Sequence, residues 1–548
     1  MNPNLPGVVV TGASGFIGRN FLASAAGKYR LFCLARRSRR DAGVPDYDNM
    51  RWTQVDISRW ETMRDVVDCI LTQGGADYVV HLAGYYDFHN MDNSEYDQTN
   101  VLGTRNVLKL ARQIGTARFI FASSLAACEF PPPGEVLNED SPPDAKFAYA
   151  RSKCAGEEIV RDHTEYFPAS VLRLAAVFSD WCEYPPLYML MRTWLERGWN
   201  ARILGGRGDS AVPYIHIQDL VKLIHRTIEQ SEQLPRFGIY NISPSHVTSH
   251  RELFTAATTY YFGCTPDPIC LPKWFAGIGV RLRWWLGRLI GRPPFEAPWM
   301  VNYIDKQLRV DASRSHAGLD WKPTERLDVQ RRLLVMVENL KSHGEVWHMR
   351  NEEALQRIGQ RPNLLISYEL EELRSSLVEK ISDYVTAPTN REDFCRYHEM
   401  PHETLLWFIT LIYQVLVTSV RTRDRHMFRH YSQVIATRRK NEGFTADQVG
   451  NFLTTVGRLI KEELIARPAL AEFGQQIHDY VTLSFQLAAD GVDDVFEISD
   501  EEGMRIPAGY EGFDIPTTTE GLAKMVSRLE DTCVEAFPAN PPGGSSRA

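Results

Sequence analysis

Through the first half of the chain, short strand-like apolar runs alternate with stretches whose apolar residues recur every third or fourth position. Strand-like runs lie at Val8–Thr11, Tyr29–Ala35, Tyr78–Leu82, Phe119–Ala122 and Ser170–Leu174, and helical patterns at Trp60–Gln73, Asn100–Gln113 and Tyr149–Tyr166. This alternation predicts an α/β fold, a Rossmann-type doubly wound parallel sheet with ligands at the C-terminal ends of its strands. Tyr214–Ile224 and Phe237–Ile242 read as further strands, and Asp328–Leu340 as a closing helix. Residues 1–350 form one predicted domain, with a small substrate-binding lobe over 180–215 and 245–325.

Beyond residue 350 the strand signal stops. Helical patterns at Leu364–Val385, His402–Val420, Arg423–Lys440, Thr445–Ile465 and Ala469–Ala489 predict a separate all-α bundle over 351–500, with regulation or oligomerisation as its role. Leu405–Val420 is apolar but broken by Thr410, Gln414 and Thr418, which suits the buried centre of that bundle better than a membrane span. Residues 501–548 read as a linker, one helix and a Pro/Gly/Ser-rich disordered tail.

The first strand runs directly into Thr11-Gly12-Ala13-Ser14-Gly15-Phe16-Ile17-Gly18. Glycines at 12, 15 and 18 permit a tight turn into a helix and let a pyrophosphate approach the backbone. The helix N-terminus then presents N–H groups and a positive dipole end to the phosphates. The second strand ends Ala35-Arg36-Arg37, with a small neutral residue where an NAD site carries an acid to hold the ribose 2′-OH. Guanidinium groups suit a 2′-phosphate. The expected cofactor is therefore NADP in preference to NAD, held by Arg36 and then Arg37. Asp56-Ile57 is placed to meet an adenine, and Leu82-Ala83-Gly84 lets the backbone come near the cofactor.

Composition narrows the classes. The chain has 548 residues, 44% of them hydrophobic and 24% charged, as globular domains do. A net charge of −8 opposes general nucleic-acid binding. Nine scattered cysteines with no C-x-x-C pair fit a reducing cytoplasm, and no signal peptide precedes the first strand. No metal site is expected: Glu399-x-x-His402 is interrupted by Pro401 and lacks a second such pair, and His426 with His430 is only one pair.

Tyr149 and Lys153 stand four apart, on one face of a helix. A phenol titrates near 10 and is a poor base until cationic neighbours stabilise its phenolate. Ser124, at the end of the fifth strand, could hydrogen-bond a substrate oxygen.

Together these segments resemble the extended short-chain dehydrogenase/reductases, the NAD(P)-dependent epimerase/dehydratase group. The matching pieces are Thr11–Gly18, Asp56-Ile57, His81–Gly84, Asn100–Thr104, Phe121–Ser124, Tyr149–Lys153 and Tyr214–Asp219. The resemblance implies Tyr149 as acid/base, Lys153 lowering its pKa and holding the ribose, Ser124 orienting the substrate oxygen, and Asn100 shaping the active-site helix. It also implies cofactor contacts from Ser14, Phe16, Ile17, Ser123 and Val177.

Departures from the group's pattern bear on substrate. Cys128-Glu129 stands where sugar-nucleotide enzymes read Tyr-Gly, and Ala211-Val212-Pro213 where an arginine grips a sugar diphosphate. The Arg-Pro segment reads Arg173-Leu174. The Leu271–Met300 segment, with Trp274, Phe275, Ile278, Trp284, Trp285 and Trp299, resembles the apolar lid of the dihydroflavonol-reductase and 3β-hydroxysteroid-dehydrogenase branch. A small hydrophobic ketone or secondary alcohol is the expected substrate, and a homo-oligomer the expected assembly. A membrane-surface helix over 271–300 is the alternative for that segment. Nucleotide-sugar epimerisation or dehydration is the alternative reaction. A scaffold that senses NADP(H) and signals its binding through the helical bundle is the third reading, opposed by the intact Ser124, Tyr149 and Lys153 set. Separately, Arg438–Phe444 resembles helical sensor domains beside bacterial stress-signalling regulators.

Overall fold

A computed structural model describes residues 4–87, 93–196, 198–289, 296–358, 362–471 and 473–497. The predicted linker, helix and tail of 501–548 lie outside the described residues. The chain divides into two compact units, one of residues 1–35 and 39–360 and one of residues 36–38 and 361 onward.

The strands of the first unit are β1 (Gly7–Thr11), β2 (Arg30–Ala35), β3 (Met50–Gln54), β4 (Tyr78–His81), β5 (Arg118–Ser124), β6 (Ala169–Leu174), β7 (Ala176–Phe178), β8 (Ile203–Gly205), β9 (Ala211–Val212), β10 (Tyr214–His216), β11 (Phe237–Ile242), β12 (Thr248–Ser249) and β13 (Ile269–Leu271). Its helices are α1 (Phe16–Ala25), α2 (Trp60–Thr72), α3 (Gly103–Ile114), α4 (Ala148–Asp162), α5 (Pro185–Leu195), α6 (Ile217–Glu229), α7 (His250–Phe262), α8 (Lys273–Leu289), α9 (Ser313–Gly318), α10 (Val329–Ser342) and α11 (Gly344–Ile358).

Seven strands pair in parallel in the order β11-β6-β5-β4-β1-β2-β3. The order reverses direction between β1 and β4, where doubly wound sheets bind ligands. Both faces are covered, so alternate strand residues enter different cores: Val8 and Val10 pack with Phe21 and Leu22 of α1, and Val9 with Val66, Val107 and Val160 of the opposite helices. A third apolar cluster gathers Phe178, Tyr188, Trp194, Phe254, Leu333 and Trp347, and forms the lobe beyond the sheet.

One expectation changes in the first unit. Ile217–Ile224 is helical and only Tyr214–His216 is strand, because Ile217, Leu220, Val221, Ile224 and Ile228 follow helical spacing and bury together. α11 packs with this unit through Trp347, which is buried in the lobe cluster.

The second unit is helical: α12 (Pro362–Thr386), α13 (Cys395–His398), α14 (His402–Thr422), α15 (Arg425–Asn441), α16 (Ala446–Ile465), α17 (Gly474–Ile477) and α18 (Leu483–Glu497). The pattern read as one helix over Ala469–Ala489 is broken, with a 3₁₀ turn at Pro468–Leu470 and a π-helical stretch at His478–Thr482 between α17 and α18. Among the described residues α14 is long and apolar enough to cross a membrane, yet 72% of its apolar window is buried within the protein. Leu405, Ile409, Ile412, Tyr413, Leu416 and Val420 supply the centre of this unit's core.

Candidate active site

β1 ends in a turn at Gly12, where φ is +68°. A Cβ there would sit 2.7 Å from the Ala83 nitrogen, and one at Gly18 would sit 2.4 Å from the Gly12 oxygen. The protein's own backbone thus demands both glycines, by drawing the ends of β1 and β4 together and seating α1 on the turn. Gly15 caps α1 with no side-chain hydrogen bond and no acid in the first turn. The leading N–H groups of a helix so capped are an anion site. Ser14 completes the turn, while Phe16 and Ile17 lie partly against the sheet.

A directional chain of hydrogen bonds stiffens the neighbouring strand end. Thr104 Oγ1 donates to the Asn100 carbonyl at 2.6 Å, so it accepts from His81 Nε2 at 3.0 Å. His81 Nδ1 is left to accept from Thr11 Oγ1 at 2.6 Å, and that hydroxyl accepts from the Ala83 N–H at 3.2 Å. The ring must be neutral, and burial, aided by the Lys153 charge, pushes its pKa down to about 3. Burial likewise holds His225 and His250 down at about 4. The unfolded chain takes up protons on these groups below about pH 6.5 while the folded chain does not. Stability is therefore expected to fall as pH drops from 6.5 toward 4. Urea midpoints at pH 7 and pH 5 test this, and equal midpoints would contradict it.

Asn100 sits in a π-helical turn, Tyr96–Leu102, that leads into α3. Its Oδ1 accepts from the Tyr85 N–H at 2.6 Å, and its Nδ2 donates to the Tyr85 carbonyl at 3.0 Å and to Ser152 Oγ at 2.8 Å. Asn100 thereby fixes the loop after β4 against α4, one turn from Tyr149 and Lys153. Gly84 lies beside both groups: a Cβ there would be 3.4 Å from Lys153 Nζ and 3.6 Å from Asn100 Oδ1.

The structure brings Tyr149, Ser124 and Lys153 together. The Tyr149 phenol hydrogen-bonds Ser124; burial pushes its pKa up to about 12 and that bond pulls against the rise. Lys153 Nζ donates to the Ala122 carbonyl at 2.8 Å and lies 5.8 Å from the Tyr149 ring centre. Burial pushes Lys153 down to about 8, with the Glu157 charge opposing. Ser124 Oγ also accepts from the Ala126 N–H at 3.2 Å.

Other expected residues face inward. The Ser123 hydroxyl donates to Glu157 Oε1 at 2.5 Å, and the Glu157 carboxylate takes Arg173 in a fork, Nε at 3.0 Å and Nη2 at 2.8 Å. Ile57 is buried in the core beneath Gly103. Asp56 accepts from the Ser58 N–H and hydroxyl at 2.9 and 2.7 Å. Val177 is partly buried between two apolar clusters. Arg36 and Arg37 leave the C-terminal end of β2 half-buried, whereas Arg39 pairs with Asp46 at 2.9 Å.

Several residues at the site carry no sequence signal of their own. The Tyr86 ring centre lies 4.4 Å from that of Tyr149, and Phe147 lies 6.4 Å from it. Phe147 stacks on Trp299 at 6.3 Å, Trp299 meets Tyr303 at 5.9 Å, and Tyr303 meets Phe130 at 4.9 Å. An aromatic wall therefore runs outward from the phenol. Of the predicted lid tryptophans Trp299 joins it, while Trp274 and Trp285 of α8 face solvent.

Tyr184, whose phenol is pushed well up by burial, follows a strained turn. Cys182 and Glu183 both have left-handed φ, 73° and 50°. Neighbours impose this geometry. Asn351 of α11 accepts from the Glu183 N–H at 2.8 Å and donates to the Trp181 carbonyl at 2.7 Å, while His216 and Arg332 hold Asp180 at 3.1 and 2.6 Å.

Residues 8–243 match the family described as the NAD dependent epimerase/dehydratase family. A putative dihydroflavonol 4-reductase of Synechocystis is 29% identical over 153 residues, 27% of this chain and 42% of that protein. Sterol demethylase protein B of Methylococcus capsulatus is 27% identical over 188 residues, 33% of this chain and 54% of that one. The chain thus spans about half the length of these curated relatives. The UDP-glucose 4-epimerase of Thermotoga maritima, solved with UDP-glucose, is 18% identical over 62% of this chain and 99% of that one, with a TM-score of 0.48.

Proposed function

Because residues 8–243 match the NAD dependent epimerase/dehydratase family, we propose that the first unit is an NADP-dependent oxidoreductase interconverting a hydrophobic ketone and its secondary alcohol. The observation that carries this reading is the aromatic wall from Tyr149 through Phe147 and Trp299, which suits an apolar substrate body beside a phenol. The fit to a dinucleotide rests on the glycine turn at 12–18, the uncapped start of α1 and the close approach of β4. When bound there, the nicotinamide gives or takes the hydride.

The protein's own groups handle the oxygen. In the reductive direction Tyr149 donates its phenolic proton to the carbonyl oxygen as the carbon gains hydride, and Ser124 holds that oxygen in line. Burial keeps the phenol protonated through neutral pH, which suits an acid. In the oxidative direction the Lys153 ammonium and the Ser124 hydroxyl stabilise the phenolate. Arg36 and Arg37 hold the 2′-phosphate, and the helical unit assembles or regulates the enzyme.

The purified full-length protein is to be offered NADPH with trans-1-decalone, a neutral fused-ring ketone, and separately UDP-glucose. Consumption of NADPH with the ketone supports the reading. Conversion of UDP-glucose without net cofactor consumption would replace it with the second reading, nucleotide-sugar epimerisation or dehydration, which is supported by relatives named as a putative UDP-glucose 4-epimerase and a dTDP-glucose 4,6-dehydratase. Arg36→Glu is expected to shift the ratio of kcat/KM for NADPH over NADH by about tenfold or more toward NADH, since it replaces a charge-assisted bond with repulsion. An unchanged ratio would remove Arg36 from the site.

A further inference from the structure

The outer face of α8 is built the wrong way round for a helix of a globular unit. Trp274, Phe275, Ile278, Leu282, Trp285 and Leu286 are 69%, 51%, 56%, 56%, 57% and 44% exposed. At 100° per residue they share an arc of roughly 120°. The opposite side faces the protein, where Gly277 is buried and a Cβ on it would meet Val301 Cγ1 at 3.0 Å, and Trp284 is half-buried. Solvent therefore meets a continuous apolar stripe, while the inner face already has its partner. Nearby, Ile269 of β13 is 49% exposed, and Trp199, in the loop before the paired strand β8, is 83% exposed. Contiguous exposed apolar surface of this kind marks an interaction face.

Charge selects the occupant. The helix KWFAGIGVRLRWWLGRL carries Lys273, Arg281, Arg283 and Arg288 and no Asp or Glu. Arg281 borders the apolar arc, while Arg283 forms an ion pair with Glu296 at 3.4 Å and stands away from that arc. A second copy docked on this stripe by two-fold symmetry would set cations against cations. An anionic lipid surface would accept the tryptophans and leucines at its acyl boundary and neutralise the arginines at its headgroups.

We propose that α8 docks the protein on an anionic membrane surface, its apolar arc entering the interface and Lys273 and Arg281 meeting acidic headgroups. The proposal is independent of the reaction assigned to the first unit. The test is co-sedimentation of the full chain with vesicles of phosphatidylcholine alone or mixed with phosphatidylglycerol, at low and raised salt. The wild type is expected to sediment with the mixed vesicles, less at raised salt and less with phosphatidylcholine alone. Ile278→Glu with Trp285→Glu changes two exposed positions and is expected to weaken binding by about tenfold or more at unchanged circular dichroism and oligomeric mass. Arg281→Glu alone is expected to weaken binding to the mixed vesicles and not to the neutral ones. Failure of the wild type to sediment with the mixed vesicles would overturn the proposal, as would equal binding to both vesicle types. If the double variant instead halves the oligomeric mass of a wild type that ignores vesicles, a second copy covers this face.

Discussion

Tyr149→Phe is expected to lower turnover of a ketone by a factor of about 10² to 10⁴, the range a positioned general acid contributes. NADPH affinity should stay within about threefold, because phenylalanine keeps the ring and removes only the oxygen that bonds Ser124. Lys153 would keep its bond to the Ala122 carbonyl and Asn100 its bonds to Tyr85 and Ser152. Stopped-flow oxidation of NADPH gives the rate, and quenching of protein fluorescence by the dinucleotide gives the affinity. Turnover within a factor of about three of wild type would exclude the phenol as the acid.

Glu157→Leu is expected to cost about 3–5 kcal/mol of stability, the usual penalty for stranding one member of a buried ion pair. Arg173 and Glu157 are 1% and 4% exposed, and the carboxylate also accepts the Ser123 hydroxyl. Replacing both members, Glu157→Leu with Arg173→Met, should recover much of the loss, since no charge is then left without a partner. Denaturant melts of the three proteins decide it; a double variant no more stable than the single would mean that the pair's geometry is not what matters. Turnover should fall with Glu157→Leu as well. The pair ties α4, which carries Tyr149 and Lys153, to the strand beside β5, which carries Ser124.

Features written in contiguous residues were legible from the sequence. The β-branched run at Val8–Val10 became a central strand because a parallel sheet buries both faces and leaves no polar alternation to confuse the pattern. The four-residue spacing of Tyr149 and Lys153 fixed their common face. Pairings across the chain were not legible. Nothing near Ser123 announces Glu157, and nothing near Thr11 announces His81 or Thr104, because these partners meet only when β1, β4 and α3 are assembled. The aromatic wall was hidden for the same reason, since Phe147 and Trp299 are far apart in sequence. At Tyr214–Ile224 the apolar run is dense enough to read as strand, and burial against α1 decides for a helix after His216. The glycine turn was read for the right positions and part of the reason: close approach is needed first by the protein's own backbone.

The strained turn before Tyr184 bears on how this protein can be cut. Its two left-handed residues persist because Asn351 grips both sides of the turn from α11. A fragment trimmed to the family match would end at 243, more than a hundred residues before that grip. Freed of Asn351, Cys182 and Glu183 would relax toward ordinary backbone and take Tyr184 with them. A fragment that keeps the grip on this turn therefore has to extend through α11, to residue 358.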